Sequence, residues 1–283
     1  MTAPKHTHGP RNPRRLTILH EDRDVLVIDK PHGLLTMGTD TEKENTAYWK
    51  MTDYVRRGSP KSDARIFIVH RLDRDVSGVL LFAKTVEAKM FLQENWEQAE
   101  KIYLAVVKGV MPEKEGIITS HLVEENNRFV HSTRDTTRGK LSRTAYRVVR
   151  EFGSLSLLEV SLLTGRKNQI RVHLAEQGHA IVGDAKYGVV DKTNRRLALH
   201  AVSLSFTHPT TGKRMVVESR VPEYFNRLTA RPVAAAETAP GEGGRTPAVQ
   251  KAQPPARPKK GEGPARGQGP PRIRTKDWLR KNR

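Results

Sequence analysis

The sequence contains no cysteine among its 283 residues. This absence excludes disulfide bridges, thiolate zinc sites and a cysteine nucleophile. No apolar run approaches the roughly 18 residues that a membrane-spanning helix needs. The first fifteen residues are polar and basic, so they lack the apolar segment of a secretory signal. We therefore expect a cytoplasmic protein that has no membrane anchor.

The motifs of common nucleotide, metal and acyl chemistry are also missing. No glycine-rich run precedes a Lys-Ser or Lys-Thr pair, which excludes the usual phosphate-binding loop. No Gly-x-Ser-x-Gly segment indicates a serine hydrolase. The histidines His173, His179 and His200 lack the spacing of zinc ligands. The sequence therefore predicts neither a metal site nor a cofactor site.

Basic residues are in excess along the whole chain. Lys and Arg number 50 against 31 Asp and Glu, a formal net charge of +19. Residues 231–283 hold 13 Lys and Arg and four Asp and Glu, so about half of the excess belongs to residues 1–230. Such an excess favours a polyanionic partner, either nucleic acid or an anionic membrane surface. Because no amphipathic helix of useful length accompanies the charge, we favour nucleic acid.

Composition divides the chain into three parts. Residues 1–15 are expected to be a disordered arm, and residues 16–230 a folded domain. Residues 231–283 are rich in Pro, Gly, Lys and Arg and poor in apolar residues, which predicts a disordered tail. Its end, residues 272–283, is compatible with a short basic helix.

Short apolar or alternating segments between turn residues predict a protein dominated by strands. These segments are 25–28, 66–69, 79–82, 102–107, 145–149, 155–163, 198–206 and 215–217, with a hairpin turn at 208–213. Helical patterns cover residues 45–57, 86–98 and 167–177. Helices and strands do not alternate strictly. We therefore predict an α+β fold with a mostly antiparallel mixed sheet and flanking helices, rather than a doubly wound parallel sheet.

The most distinctive segment reads HRLDRDVSG and runs from His70 to Gly78. It places the carboxylate of Asp73 between Arg71 and Arg74, at the junction of two predicted strands. Such an aspartate is either part of a structural ion pair or a reacting group kept ionised, and its local composition alone favours the structural reading. Three further segments are notable, namely residues 29–35, 101–109 and 162–174.

These segments, in this order, resemble the RNA pseudouridine synthases of the RluA type, which modify uridines in large-subunit ribosomal RNA and in tRNA. The motifs are DKPHGLLT, HRLDRDVSGVLLFAKT, KIYLAVVKG, TGRKNQIRVHLAEQGHAIVGDAKYG and LHAVSLSFTHPTTG. The resemblance extends from about Leu16 to Phe225. It implies the pseudouridine synthase fold, RNA as the partner, no cofactor, no membrane contact, no obligate protein partner and a monomeric state.

The resemblance also implies roles for single residues. Asp73 matches the catalytic aspartate, Tyr103 the active-site tyrosine, and Arg171 the arginine that pairs with the aspartate. Arg71 matches the arginine that handles the flipped nucleotide. The expected substrate-binding residues are Arg71, His70, Arg74 and Arg166. Asp75 is expected to be structural, and Asp184 is assigned to a turn.

The reaction of this family breaks the N1–C1′ bond of uridine, rotates the uracil and rejoins it through C5. A carboxylate near C1′ can act as the nucleophile or can remove the 2′ proton, and the sequence leaves both routes open. Either route needs Asp73 ionised, and a facing Arg171 would offset the cost of burying that charge. Tyr103 is expected to stack on the base near the C5 proton that must leave.

A second hypothesis is a non-catalytic RNA-binding or ribosome-assembly protein. The basic charge and the tail would suit it equally well. The joint presence of Asp73, Tyr103 and Arg171 favours the enzyme, because a protein that only binds RNA has no use for that set.

Overall fold

The computed structural model describes residues 16–125, 129–189 and 193–230. The predicted arm, the tail and its terminal helix lie outside these residues. The strands are β1 (Thr17–Glu21), β2 (Val25–Lys30), β3 (Phe67–Ile68), β4 (Ser77–Ala83), β5 (Glu100–Lys108), β6 (Glu115–Glu125), β7 (Phe129–Thr133), β8 (Lys140–Phe152), β9 (Leu155–Leu162), β10 (Leu199–Thr207) and β11 (Arg214–Glu218). The helices are α1 (Ala47–Val55), α2 (Val86–Glu94), α3 (Gln169–Glu176) and α4 (Glu223–Ala230).

The strands form one mixed sheet in the order β1-β2-β4-β10-β5-β9-β8-β6-β7, with β3 paired to β4 and β11 paired to β10. The β4–β10 pair is parallel, and the other pairs are antiparallel. The predicted α+β class with a mostly antiparallel sheet is therefore confirmed. Among the described residues, no helix combines the length and apolarity needed to traverse a bilayer.

The register of the central strands brings distant parts of the chain into one row across the sheet. Lys30 pairs with Gly78, Gly78 with Ala201, Ala201 with Tyr103, and Tyr103 with Val160. Asp73 lies in the connection between β3 and β4, which leads directly into Ser77 at the start of β4. In the sheet, only β10 separates β4 from β5, so the end of this connection lies close to Tyr103 on β5.

Gly78 is required at the contact between β4 and β10. Its φ is +115°, which side-chain-bearing residues rarely adopt, and a Cβ there would lie 2.1 Å from the carbonyl oxygen of Ala201. The two strands could not approach this closely with any other residue at position 78.

The centre of the sheet is covered on both faces. Every residue of β4 is buried, which explains its uninterrupted apolar sequence. On one face, Val79 and Leu81 belong to a core cluster with Leu92 of α2. On the other side of the sheet, α4 brings Phe225 against the ring of His200, with 6.1 Å between ring centroids. The centre of the sheet is thus packed from both sides.

Helix boundaries follow local capping chemistry. The side chains of Thr46 and Thr85 accept hydrogen bonds from the backbone N–H groups of Trp49 and Ala88, so α1 and α2 begin immediately after these threonines. A 3-10 turn at Trp96–Gln98 follows α2, where the sequence predicted a continuous helix to residue 98. The helix predicted from residue 167 begins only at Gln169, since Asn168 has a left-handed backbone with φ of 53°.

Four elements were not predicted, namely β1, β6, β7 and α4. Strand β6 has one buried residue, Leu122, so its sequence has no apolar pattern strong enough to indicate a strand. The hairpin turn at 208–213 is confirmed, because the N–H of His208 donates to the carbonyl of Lys213 between β10 and β11.

Candidate active site

A cavity of about 790 Å³ opens where the β3–β4 connection meets α3. Its wall is contributed by the β3–β4 connection, the start of β5, the end of β9 and the first turn of α3. The polar and aromatic residues that line the cavity include His70, Arg71, Asp73, Trp96, Lys101, Tyr103, Arg166, Asn168 and Arg171. Three of the four segments singled out in the sequence therefore meet at one place.

Asp73 faces Arg171 across this cavity. The Arg171 Nη1 atom lies 3.6 Å from the Asp73 Oδ2 atom, and the Asp73 side chain remains 31% exposed. The pair predicted from the sequence is thus brought together by the fold. This single long contact with Arg171 orients the Asp73 carboxylate, which stays accessible from the cavity.

Arg171 is anchored from behind by a second carboxylate. Its Nε and Nη2 atoms each donate to an Asp184 oxygen at 2.8 Å, and the Asp184 side chain is only 1% exposed. Burial alone would raise the pKa of Asp184. The Arg171 guanidinium and the N–H groups of Lys186 and Tyr187 outweigh burial and hold this pKa below its ordinary value. The turn assignment of Asp184 was correct, but the sequence did not reveal its pairing with Arg171.

Two further groups hold the Arg171 guanidinium in place. The ring of Tyr187 lies under it, with 5.2 Å from the guanidinium carbon to the ring centroid. Asn168 Oδ1 accepts from Nη1 at 3.3 Å, and Asn168 Nδ2 donates to the Tyr187 hydroxyl at 3.0 Å. The guanidinium therefore has little freedom to leave Asp73.

Tyr103 is 8% exposed and projects from β5 into the cavity. Burial, and next the Asp73 charge, raise the pKa of its hydroxyl above the ordinary value. The Tyr103 side chain is therefore a neutral phenol at physiological pH.

The cavity rim carries two of the four expected substrate-binding residues as exposed cations. Arg71 has no hydrogen-bond or ion-pair partner among the residues that the structure describes. Arg166 makes a 3.5 Å contact with the Leu141 carbonyl, and its backbone N–H donates to Gln169. Both guanidinium groups are open to solvent at the cavity entrance.

His70 also lines the cavity, but its ring is committed to protein contacts. Its Nε2 atom accepts the N–H of Leu81 at 3.0 Å, and its ring stacks on Trp96 at 4.6 Å. Burial, and next the charge of Lys101, lower its pKa to about 3, so the imidazole is neutral. This histidine ties the Asp73 connection to β4.

Arg74 does not line the cavity. Its Nε atom lies 3.5 Å from the Asp75 carboxylate, and its carbonyl accepts from the Lys30 Nζ atom at 3.1 Å. The carbonyl of Asp75 in turn accepts from the His32 ring at 2.8 Å. The fold thus places Arg74 and Asp75 on the outer side of the connection, and an RNA contact by Arg74 stays a prediction.

Lys30 is a contributor to the site that sequence reasoning missed. It is completely buried, and its Nζ atom donates to the carbonyls of Pro31, Leu34 and Arg74 at 2.7–3.1 Å. Burial lowers its pKa to about 8, against the opposing charges of Asp75, Asp73 and Asp29. Lys30 therefore ties the loop after β2 to the Asp73 connection. The available signal was a charged residue directly at the end of an apolar strand.

Outside the cavity, one cluster among the described residues has atoms close enough to hold a metal ion, formed by Asp22, Asp24 and His208. Its ring nitrogens are already used. His208 Nδ1 accepts the N–H groups of Thr210 and Thr211, so Nε2 carries the proton and donates to Asp22 at 3.1 Å. The cluster is accounted for as a hydrogen-bonded turn anchor.

Comparison with known proteins is consistent over most of the chain. The family model for RNA pseudouridylate synthase matches residues 24–176. The chain is 38% identical over 221 residues to the ribosomal large subunit pseudouridine synthase D of Nitrosomonas europaea, covering 74% of this chain and 62% of that protein. It therefore spans less than two thirds of that relative's length. It is 36% identical over 229 residues to the protein of the same name from Pseudomonas aeruginosa, covering 74% of this chain and 69% of that one.

A solved structure gives the same fold. The human RNA pseudouridylate synthase domain containing 4 protein superposes with a TM-score of 0.63 at 23% identity, covering 74% of this chain and 90% of that chain. At this identity the likeness concerns the fold alone.

Proposed function

The chain belongs to the RNA pseudouridylate synthase family, and we therefore propose that it isomerises specific uridines in structured RNA to pseudouridine. The observation that carries the proposal is the meeting of Asp73, Tyr103 and Arg171 in one cavity. In this proposal Asp73 supplies the reacting carboxylate, Arg171 orients it and Tyr103 contacts the base.

The partial exposure of Asp73 suits both chemical routes. As a nucleophile, its oxygen attacks C1′ and the N1–C1′ electron pair leaves with the uracil. As a base, it takes the 2′ proton and a glycal forms as the uracil leaves. The uracil then rotates. In the first route C5 bonds to C1′ and displaces the Asp73 carboxylate, and in the second C5 bonds to C1′ of the glycal while the protonated carboxylate returns its proton to C2′. In both routes the C5 proton is lost and N1 gains a proton. No oxidant, reductant or metal is needed to balance these steps, and we propose that none takes part.

Tyr103 has a supporting role at the base. Because its hydroxyl stays protonated, it does not act as a phenolate base. In this proposal its ring stacks on the uracil, and its hydroxyl orients the water or group that takes the C5 proton. We infer that Tyr103 governs rotation and deprotonation of the base rather than cleavage of the glycosidic bond.

The substrate must present its uridine outside the helical stack, because the reacting groups lie inside a cavity. Arg71 is exposed at the rim without a partner among the described residues, and its planar group is suited to stack where the base has left. The names of two relatives refer to the large ribosomal subunit, so we propose large-subunit ribosomal RNA as the first substrate to examine and tRNA as the second. We further propose a cytoplasmic monomer.

The test is a tritium-release assay with large-subunit ribosomal RNA and tRNA transcripts labelled at uridine C5. Asp73→Asn and Asp73→Ala are expected to abolish release while RNA affinity remains within about twofold, since neither change removes a cation. Asp75→Asn is the matched control, because Asp75 lies outside the cavity, and it is expected to retain activity.

Full turnover by Asp73→Ala would overturn the proposal. Salt-sensitive RNA binding by the unaltered protein without release on any transcript would favour the non-catalytic alternative. Mapping pseudouridine in RNA from cells with and without the gene would then identify the modified position.

A further inference from the structure

A buried lysine lines the cavity next to the proposed reacting groups and has no assigned role. Lys101 is 9% exposed, and its Nζ atom donates to the Trp96 carbonyl at 3.2 Å. An ammonium group has three N–H donors, so two remain uncommitted to the described part of the chain. No ion pair joins Lys101 to an acidic side chain there.

The position of Lys101 relates it directly to the site. Lys101 and Tyr103 are two residues apart on β5, so their side chains project from the same face of the strand, about 7 Å apart along it. Both line the cavity. The ammonium group thus lies beside Trp96, in the same cavity as the tyrosine that we propose contacts the base.

The surroundings of Lys101 hold its side chain in place. Its Nζ atom lies 5.4 Å from the centre of the Trp96 ring, and the same ring stacks on His70. Since His70 is neutral, it adds no charge to the subsite. A cation fixed in this way is oriented before any ligand arrives, which lowers the entropic cost of binding an anion.

The energetics point to an anionic ligand. An ammonium group buried without a carboxylate is costly, and burial lowers the pKa of Lys101 against the opposing charge of Glu97. Among the other cations that line the cavity, Arg171 is buried but paired with Asp184. Lys167 is 42% exposed and paired with Glu124. Among the described residues that line the cavity, Lys101 is therefore the buried cation that has no ion pair. An anionic ligand could neutralise its charge.

We propose that Lys101 binds a backbone phosphate of the RNA, on the nucleotide adjacent to the target uridine. This inference rests on the proposed function, because a polynucleotide places a phosphate about one nucleotide away from the reacting sugar. Together with Trp96 and His70, Lys101 forms a phosphate subsite that sets how the strand passes through the cavity.

The variants that test the subsite are Lys101→Met, which removes the charge and keeps the stem, and Lys101→Arg, which keeps the charge. Lys108→Met is the matched control, since Lys108 is on the same strand but outside the cavity. We expect Lys101→Met to raise the Kd of an RNA that the unaltered protein modifies by about tenfold, the size of one charge-assisted hydrogen bond. Lys101→Arg should recover part of this loss. Lys108→Met should change Kd by less than about twofold.

The decisive measurement is a double-mutant cycle between each protein variant and the RNA backbone. It uses a set of RNAs of the same sequence, each of which carries one uncharged methylphosphonate at a different position. For the unaltered protein, the methylphosphonate next to the target uridine should raise Kd by about the same tenfold, and for Lys101→Met it should add nothing. Additive losses at every position, or an unchanged Kd for Lys101→Met, would overturn the subsite. A fall in Tm together with losses that do not depend on the methylphosphonate would show a structural role instead. Absence of turnover by the unaltered protein would count against the proposed function, whereas missing coupling in an active protein counts against the subsite alone.

Discussion

Arg171 is shared between two carboxylates that differ in burial and geometry. Asp184 is almost inaccessible and binds the guanidinium through two 2.8 Å hydrogen bonds, whereas Asp73 is partly exposed and lies 3.6 Å away. A bidentate pair neutralises the arginine more fully than one long contact does. Asp184 therefore cancels most of the Arg171 charge, and Asp73 is oriented without being tied up. This division leaves the Asp73 carboxylate accessible from the cavity, as the proposed reaction requires.

Replacing Asp184 by Asn should separate orientation from binding. The change leaves the buried Arg171 charge without its main partner, which costs on the order of 3–5 kcal/mol of stability. It also frees the guanidinium to move toward Asp73, and displacement of about 1 Å can cost roughly 100-fold in rate. We expect kcat to fall by that order while RNA affinity is retained, with urea unfolding and single-turnover kinetics as the measurements. Asp184→Glu should restore part of kcat, and a folded Asp184→Asn protein with unchanged kcat would refute the positioning role.

At the scale of elements, the site depends on how β4 meets β10. This pair is parallel within an otherwise antiparallel sheet, and its short register joins Gly78 to Ala201. Tyr103 lies opposite Ala201 on the other side of β10. The distance between the Asp73 connection and Tyr103 is therefore set by strand pairing and by the missing side chain at position 78, and not by either segment alone.

Gly78→Ala tests this arrangement against a matched glycine. Its new Cβ would lie 2.1 Å from a backbone oxygen in a backbone conformation that alanine avoids, so a loss of at least about 3 kcal/mol is expected. Gly212→Ala, in the hairpin turn after β10, also has a positive φ of +67° but nothing within 4 Å. It should cost only about 1–2 kcal/mol. Urea unfolding of the two variants measures the difference, and equal losses would show that the contact with β10 is unimportant.

At the scale of the whole molecule, positive charge is divided about equally between residues 1–230 and residues 231–283. In the proposed function, charges inside the cavity act on the target nucleotide and its neighbour. The remaining excess acts on phosphates at any position, because its attraction does not depend on base sequence. The two regions should therefore affect different measurable quantities.

Deleting residues 231–283 should weaken binding to all RNAs alike and reduce the dependence of log Kd on log salt. Each lost phosphate contact lowers that slope by about 0.7–0.9. Turnover at saturating RNA should stay unchanged. A tail of equal length with Gln in place of its Lys and Arg should behave as the deletion does. A loss confined to one RNA sequence would show instead that this segment reads bases.

Much of the fold and site follows from local sequence pattern. Apolar strands and the turn at 208–213 are short-range features, so the central strands agree with prediction. The start of α2 at Val86 also agrees, whereas α1 begins two residues later than predicted, after the Thr46 cap. Strands β6 and β7 were missed because they bury little, and a pattern of burial is what sequence reasoning detects. Asp73, Tyr103 and Arg171 were found because each lies in a distinctive motif.

The sequence by itself determined the class of fold and the family resemblance, since these depend on patterns within single segments. The resemblance in turn implied the residues expected to react. Only the tertiary structure decided that Asp184 anchors Arg171, that Lys30 ties two loops together and that Arg74 lies outside the cavity. It likewise decided that Lys101 is buried without an ion pair in the described part of the chain. The physical reason is that ion pairing and burial depend on how α3, the loops and the β3–β4 connection pack together around the sheet. The spacing of residues along one segment does not reveal this packing. It depends in part on the strand pairing that aligns residues of β2, β4, β10 and β5 in one row.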